Sequence, residues 1–122
     1  MTLKECYAAM GGDYDEVMGR LRSERLVQKF VLKFPGDGSF DLLRRSLESG
    51  DRGEAFRAAH TIKGVCANLA FGPLLASSER LTEALRDGAP PQPGEEELIG
   101  QVEEDYRRVI QAIQAFQEGA AG

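Results

Sequence analysis

Between Ile99 and Phe116, the residues Ile99, Val102, Tyr106, Val109, Ile113 and Phe116 recur at spacings of 3, 4, 3, 4 and 3. Only a helix gathers such a pattern onto one face, because about 3.6 residues complete each turn. A strand would scatter the same side chains over both its faces. The seam predicts a helix of about six turns, with Glu95, Glu96 and Glu97 at its start, where carboxylates suit the positive end of the helix dipole. The segment after Pro73 places Leu74, Ser78, Leu81 and Leu85 on one face, and Pro73 fits a first helical turn. Upstream, Asp51 or Arg52 opens a helix that runs to about Phe71. Ser39 is the expected N-cap of a helix to Glu48 with the seam Phe40, Leu43 and Leu47. Ser23 is expected to cap Glu24 to Phe34, with Val27, Phe30 and Phe34 inward. Asp13 is expected to cap a short helix carrying Tyr14, Val17 and Met18. No segment alternates with period two, so no sheet is expected.

The breaks are equally plain. Gly11-Gly12, the run from Pro35 to Gly38, Gly50-Asp51, Gly72-Pro73 and the stretch from Asp87 to Gly94 punctuate the chain. Short connections make sequential helices antiparallel. The expected fold is all-α: an antiparallel four-helix bundle with additional short N-terminal helices. At 122 residues there is room for one domain. Its expected extent is 1–118, with 119–122 a frayed tail.

Charge and composition remove several function classes. The formal charge is -5, and no basic stripe accompanies it, so nucleic acid is not an expected partner. A single histidine rules out a multi-histidine metal site. Cys6 and Cys66 form no CxxC pair and read as reduced thiols, Cys66 filling a small core position. No apolar run is long enough to span a membrane, and the N-terminus lacks a signal-peptide pattern. A cytoplasmic monomer that engages no membrane is the expectation. Glu103, Glu104 and Asp105 read as a solvated face. Arg20, Arg22, Arg25, Lys29 and Lys33 gather on the early helices, as solvated charge or as a steering field for an acidic partner.

The helix after Asp51 carries the chemistry. At about 100° per residue, Ala55, Ala59, Ile62, Cys66 and Leu69 form its core seam, and His60 points about 140° away from the middle of that seam. The imidazole is therefore expected in solvent. Gly64 and Ala67 lie along the same face and leave the ring above a flat patch. Glycine inside a helix costs about 1 kcal/mol relative to alanine, and close approach of a macromolecule offers compensation. Lys63 sits one turn from His60, where its ammonium would offset a phosphoryl charge. Arg57 and Asn68 border the patch, and Phe56 and Phe71 are expected to flank it with apolar contact. Neutral imidazole is a competent nucleophile near neutral pH. No phosphate-cradling glycine loop or metal-ligand cluster accompanies it, so the site is expected to carry a group rather than to activate one.

The stretch Ala58-Ala59-His60-Thr61-Ile62-Lys63-Gly64-Val65-Cys66-Ala67-Asn68-Leu69 closely resembles the signature of histidine-containing phosphotransfer domains, centred on His-x-x-Lys-Gly. Phe56 and the run from Leu81 to Leu85 also look familial. The resemblance implies an intermediate of two-component phosphorelays. His60 would accept a phosphoryl group on its ε nitrogen from a receiver-domain aspartate and pass it to another. Lys63 would stabilise the phosphohistidine, and Gly64 would let the receiver dock. The partners implied are receiver domains of response regulators or hybrid histidine kinases. No cofactor of the chain's own is implied, and the Mg²⁺ that assists transfer would belong to the receiver. No kinase or phosphatase activity of the chain itself is expected. The sequence departs from the family pattern at Ala70, where glycine is frequent, and Gly72 is expected to take over as the helix cap.

Two other classes remain open on sequence. One is the phosphoacceptor domain of a larger chemotaxis-type kinase, and the other a helical adaptor without phosphoryl chemistry. The starting Met1 and the loose Gly-Ala-Ala-Gly end favour a stand-alone carrier.

Overall fold

The computed structural model describes residues 1–121. Seven α-helices follow one another: α1 (Leu3–Met10), α2 (Tyr14–Leu21), α3 (Glu24–Lys33), α4 (Ser39–Ser49), α5 (Arg52–Leu69), α6 (Gly72–Leu85) and α7 (Glu95–Ala121). Short 3-10 turns follow α3 and α6. There is no strand among the described residues. Helices α4 to α7 form the antiparallel bundle. In it α5 packs between α4 and α6, α6 leans on α7, and the rings of Phe40 and Tyr106 stack at 3.8 Å where α4 meets α7. The three short helices cover its flanks, α1 on α7 and α2 with α3 across α5.

Side-chain caps start most of these helices, each satisfying an amide that the helix leaves without a partner. Asp13, Ser23 and Asp51 accept from Glu16, Leu26 and Glu54 at 2.9, 3.1 and 3.1 Å. Thr2 and Glu5 close a reciprocal capping box on α1. The expected cap at Ser39 is different. Gly38 is the N-cap residue, Ser39 lies inside the helix, and the Asp37 carboxylate accepts from the Ser39 amide at 2.7 Å. An aspartate one residue ahead of Gly38 reaches the first turn and displaces the serine from that role.

The α5 seam of Ala55, Ala59, Ile62, Cys66 and Leu69 is fully buried, as are Leu74, Ser78, Leu81 and Leu85 of α6. Burial pushes the Cys66 thiol up to about 12 and the Cys6 thiol to about 11, so both stay protonated and pack as small apolar groups. On α3 the expected seam is corrected. Val27, Val31 and Phe34 face inward, whereas Phe30 is exposed. Val27, Val31 and Phe34 set the buried arc, and Phe30 lies at its edge, where the surface opens. α7 continues through Ala121, beyond the tail boundary expected at Gly119, and Gly122 lies outside the described residues.

Candidate functional site

Helix α5 carries His60 and is tied down at both ends. At its start, the Arg52 guanidinium meets both carboxylate oxygens of Glu95 at 2.5 and 3.2 Å, and its Nε donates to the Ala89 carbonyl. Both side chains of this pair are largely buried. At its end, a helix leaves four carbonyls without intrahelical donors. Arg20 of α2 donates to the carbonyls of Ala67 and Asn68, the Tyr7 hydroxyl donates to Leu69 at 2.8 Å, and the Asp13 amide donates to Ala70 at 2.9 Å. The helix stops at Leu69, short of the expected Phe71, because Ala70 itself turns left-handed at φ 58°. Gly72 is not the cap; it opens α6. Ala70 thus adopts the conformation that glycine tolerates most easily.

Gly12 explains how the α1–α2 turn comes so close to this end. A Cβ at Gly12 would stand 2.8 Å from the Tyr7 ring and 3.0 Å from the Ala70 carbonyl oxygen. Only glycine fits there.

Between these ends His60 is exposed, near the middle of an 18-residue helix. Two unlike flanks border it. Towards α6 the imidazole lies nearly parallel to the Phe56 ring, with centroids 6.0 Å apart and planes 18° apart. The Arg86 guanidinium lies over that ring, 5.4 Å from its centroid, and pairs with Glu83. Lys63 is half-buried on this side. Its charge reaches Glu83, where the Arg86 hydrogen bond, and Lys63 behind it, holds the carboxyl below its usual range. Towards α3 the surface dips into a groove of about 470 Å³. Phe30, Lys33, Thr61, Gly64, Val65 and Asn68 contribute to its walls. A Cβ built on Gly64 meets nothing within 4 Å, so the space over the helix there is open. No group of three or more metal-ligating side chains occurs among the described residues. No described helix is long and apolar enough to cross a membrane.

The site is thus an exposed mid-helix imidazole, bordered by a lysine one turn on and an uncovered glycine. The family model described as Hpt domain matches residues 25–117. The chain belongs to the Hpt domain family. Hpt domains perform histidine-containing phosphotransfer in two-component signalling, and they are phosphocarriers rather than enzymes. They interact with receiver domains. No curated protein and no solved structure matches the chain.

Within this Hpt fold, the residues expected at the site do not all come together. Gly64, Ala67, Asn68 and Arg57 are exposed around His60, with Arg57 paired to Glu54 at 2.7 Å. Phe56 is half-buried against the imidazole. Phe71 is not at the surface. It is fully buried, with its ring against Phe34 at 5.2 Å and Tyr7 at 5.7 Å. The left-handed turn at Ala70 reverses the chain and throws the next side chain into the core. Arg20 is a helix cap for α5 rather than part of a steering field. Three residues not expected at the site belong to its borders: Phe30, whose expected place is the core, and Glu83 and Arg86. Phe30 carried no signal, because Val27, Phe30 and Phe34 span the same arc of about 60° as Val27, Val31 and Phe34. Glu83 and Arg86 carried only their i,i+3 spacing, which marks an ion pair but not its place.

Proposed function

We propose that this Hpt chain is a phosphorelay intermediate, in which His60 takes a phosphoryl group from one receiver aspartate and gives it to another. The supporting observation is the exposed imidazole of His60 beside the open surface over Gly64. A receiver's acyl phosphate can approach such a ridge without any part of this chain moving aside. With its proton on Nδ1, the neutral ring attacks phosphorus through the Nε2 lone pair. The P–O bond to the receiver's aspartate breaks, and that carboxylate leaves with the bonding electrons. The imidazolium so formed is ready to act as the leaving group in the reverse sense, when a second receiver's aspartate attacks. The ammonium of Lys63 offsets the phosphoryl charge. A cation at the transferring phosphoryl group would be Mg²⁺ held by the receiver, as the resemblance to histidine phosphotransfer domains implies. The groove walled by Phe30, Val65 and Gly64 receives the receiver's apolar contact, with Lys33 at its rim.

Incubation with phosphorylated receivers of the source organism tests this reading. Acid-labile phosphate should appear on the chain and pass on to a second receiver. His60→Gln should stay folded and accept none. Labelling of the His60→Gln variant, or no exchange with any receiver, would overturn it. Labelling by a kinase domain with ATP but by no receiver would make the chain a kinase's phosphoacceptor domain instead.

A further inference from the structure

One carboxylate, Glu83, is bonded to Arg86 and lies in the field of Lys63, both cations on the flank of His60 that faces α6. Glu83 accepts from Arg86 through both oxygens, from Nε at 3.0 Å and from Nη2 at 2.6 Å. Arg86 in turn lies over the Phe56 ring, which lies parallel to the imidazole. Lys63, the other cation, acts on the same carboxylate from α5. The Arg86 and Glu83 side chains are 48% and 58% exposed, so both are free to turn. Exposed pairs of this kind are weak enough to exchange partners. A phosphoryl group on His60 would set about two further negative charges on this patch.

We infer that Glu83 limits the lifetime of the phosphohistidine, because its carboxylate competes with the phosphoryl oxygens for Lys63 and Arg86. The inference rests on His60 being the phosphoacceptor. Hydrolysis passes through a loose, metaphosphate-like transition state with less charge on each oxygen than the bound dianion carries. Cations on those oxygens therefore favour the bound state and slow its loss. A carboxylate that occupies the same cations speeds it. The arrangement keeps the carrier's phosphate available for transfer rather than locked in place.

Potassium phosphoramidate loads the histidine without a partner. Nε2 attacks phosphorus, the P–N bond of the reagent breaks, and ammonia leaves with a proton from water. The loaded protein is desalted, and loss of acid-labile phosphate is followed at low ionic strength. Glu83→Gln keeps the shape but removes the charge and one of the two oxygens that accept from Arg86. It should lengthen the half-life about two- to fourfold, as befits an exposed charge. The gain should fade as salt rises. It should disappear when Lys63→Ala and Arg86→Ala are added together. A Glu83→Gln half-life at or below wild type at low salt would overturn the inference, and so would a gain that survives in the triple variant. Failure of the wild-type protein to load, with His60→Gln as the blank, would instead overturn the phosphoacceptor assignment itself.

Discussion

The Tyr7 hydroxyl donates to the Leu69 carbonyl at 2.8 Å, joining two buried residues 62 positions apart. Tyr7→Phe leaves that carbonyl buried without its donor, at a cost of about 1–3 kcal/mol. The ring contacts with Tyr14 and Phe71 persist in the variant. Urea unfolding should show the loss as a lower midpoint with an unchanged slope. Phosphoryl acceptance by His60 well below the transition should stay near wild type, because the hydroxyl lies at the end of α5 and not at its middle.

Ala70 carries a left-handed backbone at φ 58° without being glycine. That conformation costs an L-residue roughly 1–2 kcal/mol, against which glycine adds about 0.4–1 kcal/mol of unfolded-chain entropy. Ala70→Gly should therefore raise stability by about 0.5–1 kcal/mol, read as a melting temperature a few degrees higher. A lower melting temperature would mean that the buried Ala70 methyl contributes more packing than the turn costs.

Gly64 has nothing within 4 Å of where a Cβ would stand. Gly64→Ala should fold normally and gain up to about 1 kcal/mol of helix stability. Gly64→Gln should also fold but should slow transfer from a phosphorylated receiver, because the longer side chain stands in the partner's path. Melting temperature and transfer rate measured on both variants separate folding from docking. An unfolded Gly64→Gln protein, or one that transfers at the wild-type rate, would remove the docking role.

Lys63 is half-buried one turn from His60, and its electrostatic help to a phosphoryl group should be modest, about 0.5–1.5 kcal/mol. Lys63→Ala should slow transfer or shorten the phosphohistidine lifetime by about tenfold at most. The defect should shrink as salt is raised. A salt-independent defect would assign the effect to the packing of the lysine stem.

The long-period pattern made α5, α6 and α7 legible, because each buries one continuous stripe. The wheel angle placed His60 in solvent for the same reason. What escaped was set by contacts between distant segments. Whether Phe71 faces a partner or the core depends on the backbone sign at Ala70, and no propensity encodes that sign. Phe30 and Phe34 are both aromatic at helical spacing, and only the position of α5 beneath α3 decides which one is covered. Ser39 is a good cap by type, but the helix begins one residue earlier, with Gly38 as its N-cap, and the Ser39 amide is itself held by Asp37. The pairing of Glu83 with Arg86 and the reach of Lys63 needed the antiparallel packing of α5 on α6 before they became one cluster.

The ties at the two ends of α5 make the helix a beam fixed at both supports, with His60 at mid-span. Arg52, Glu95 and Ala89 hold one support, and Tyr7, Asp13 and Arg20 hold the other. A ring mounted this way rides on a backbone already in place, so a macromolecule that reaches it need only sort the exposed side chains around it. Little ordering entropy is then lost on this side of an encounter. Discrimination among visitors is left to what each brings against a rigid template: apolar surface for the groove on one side of the ring, and tolerance of a charged cluster on the other.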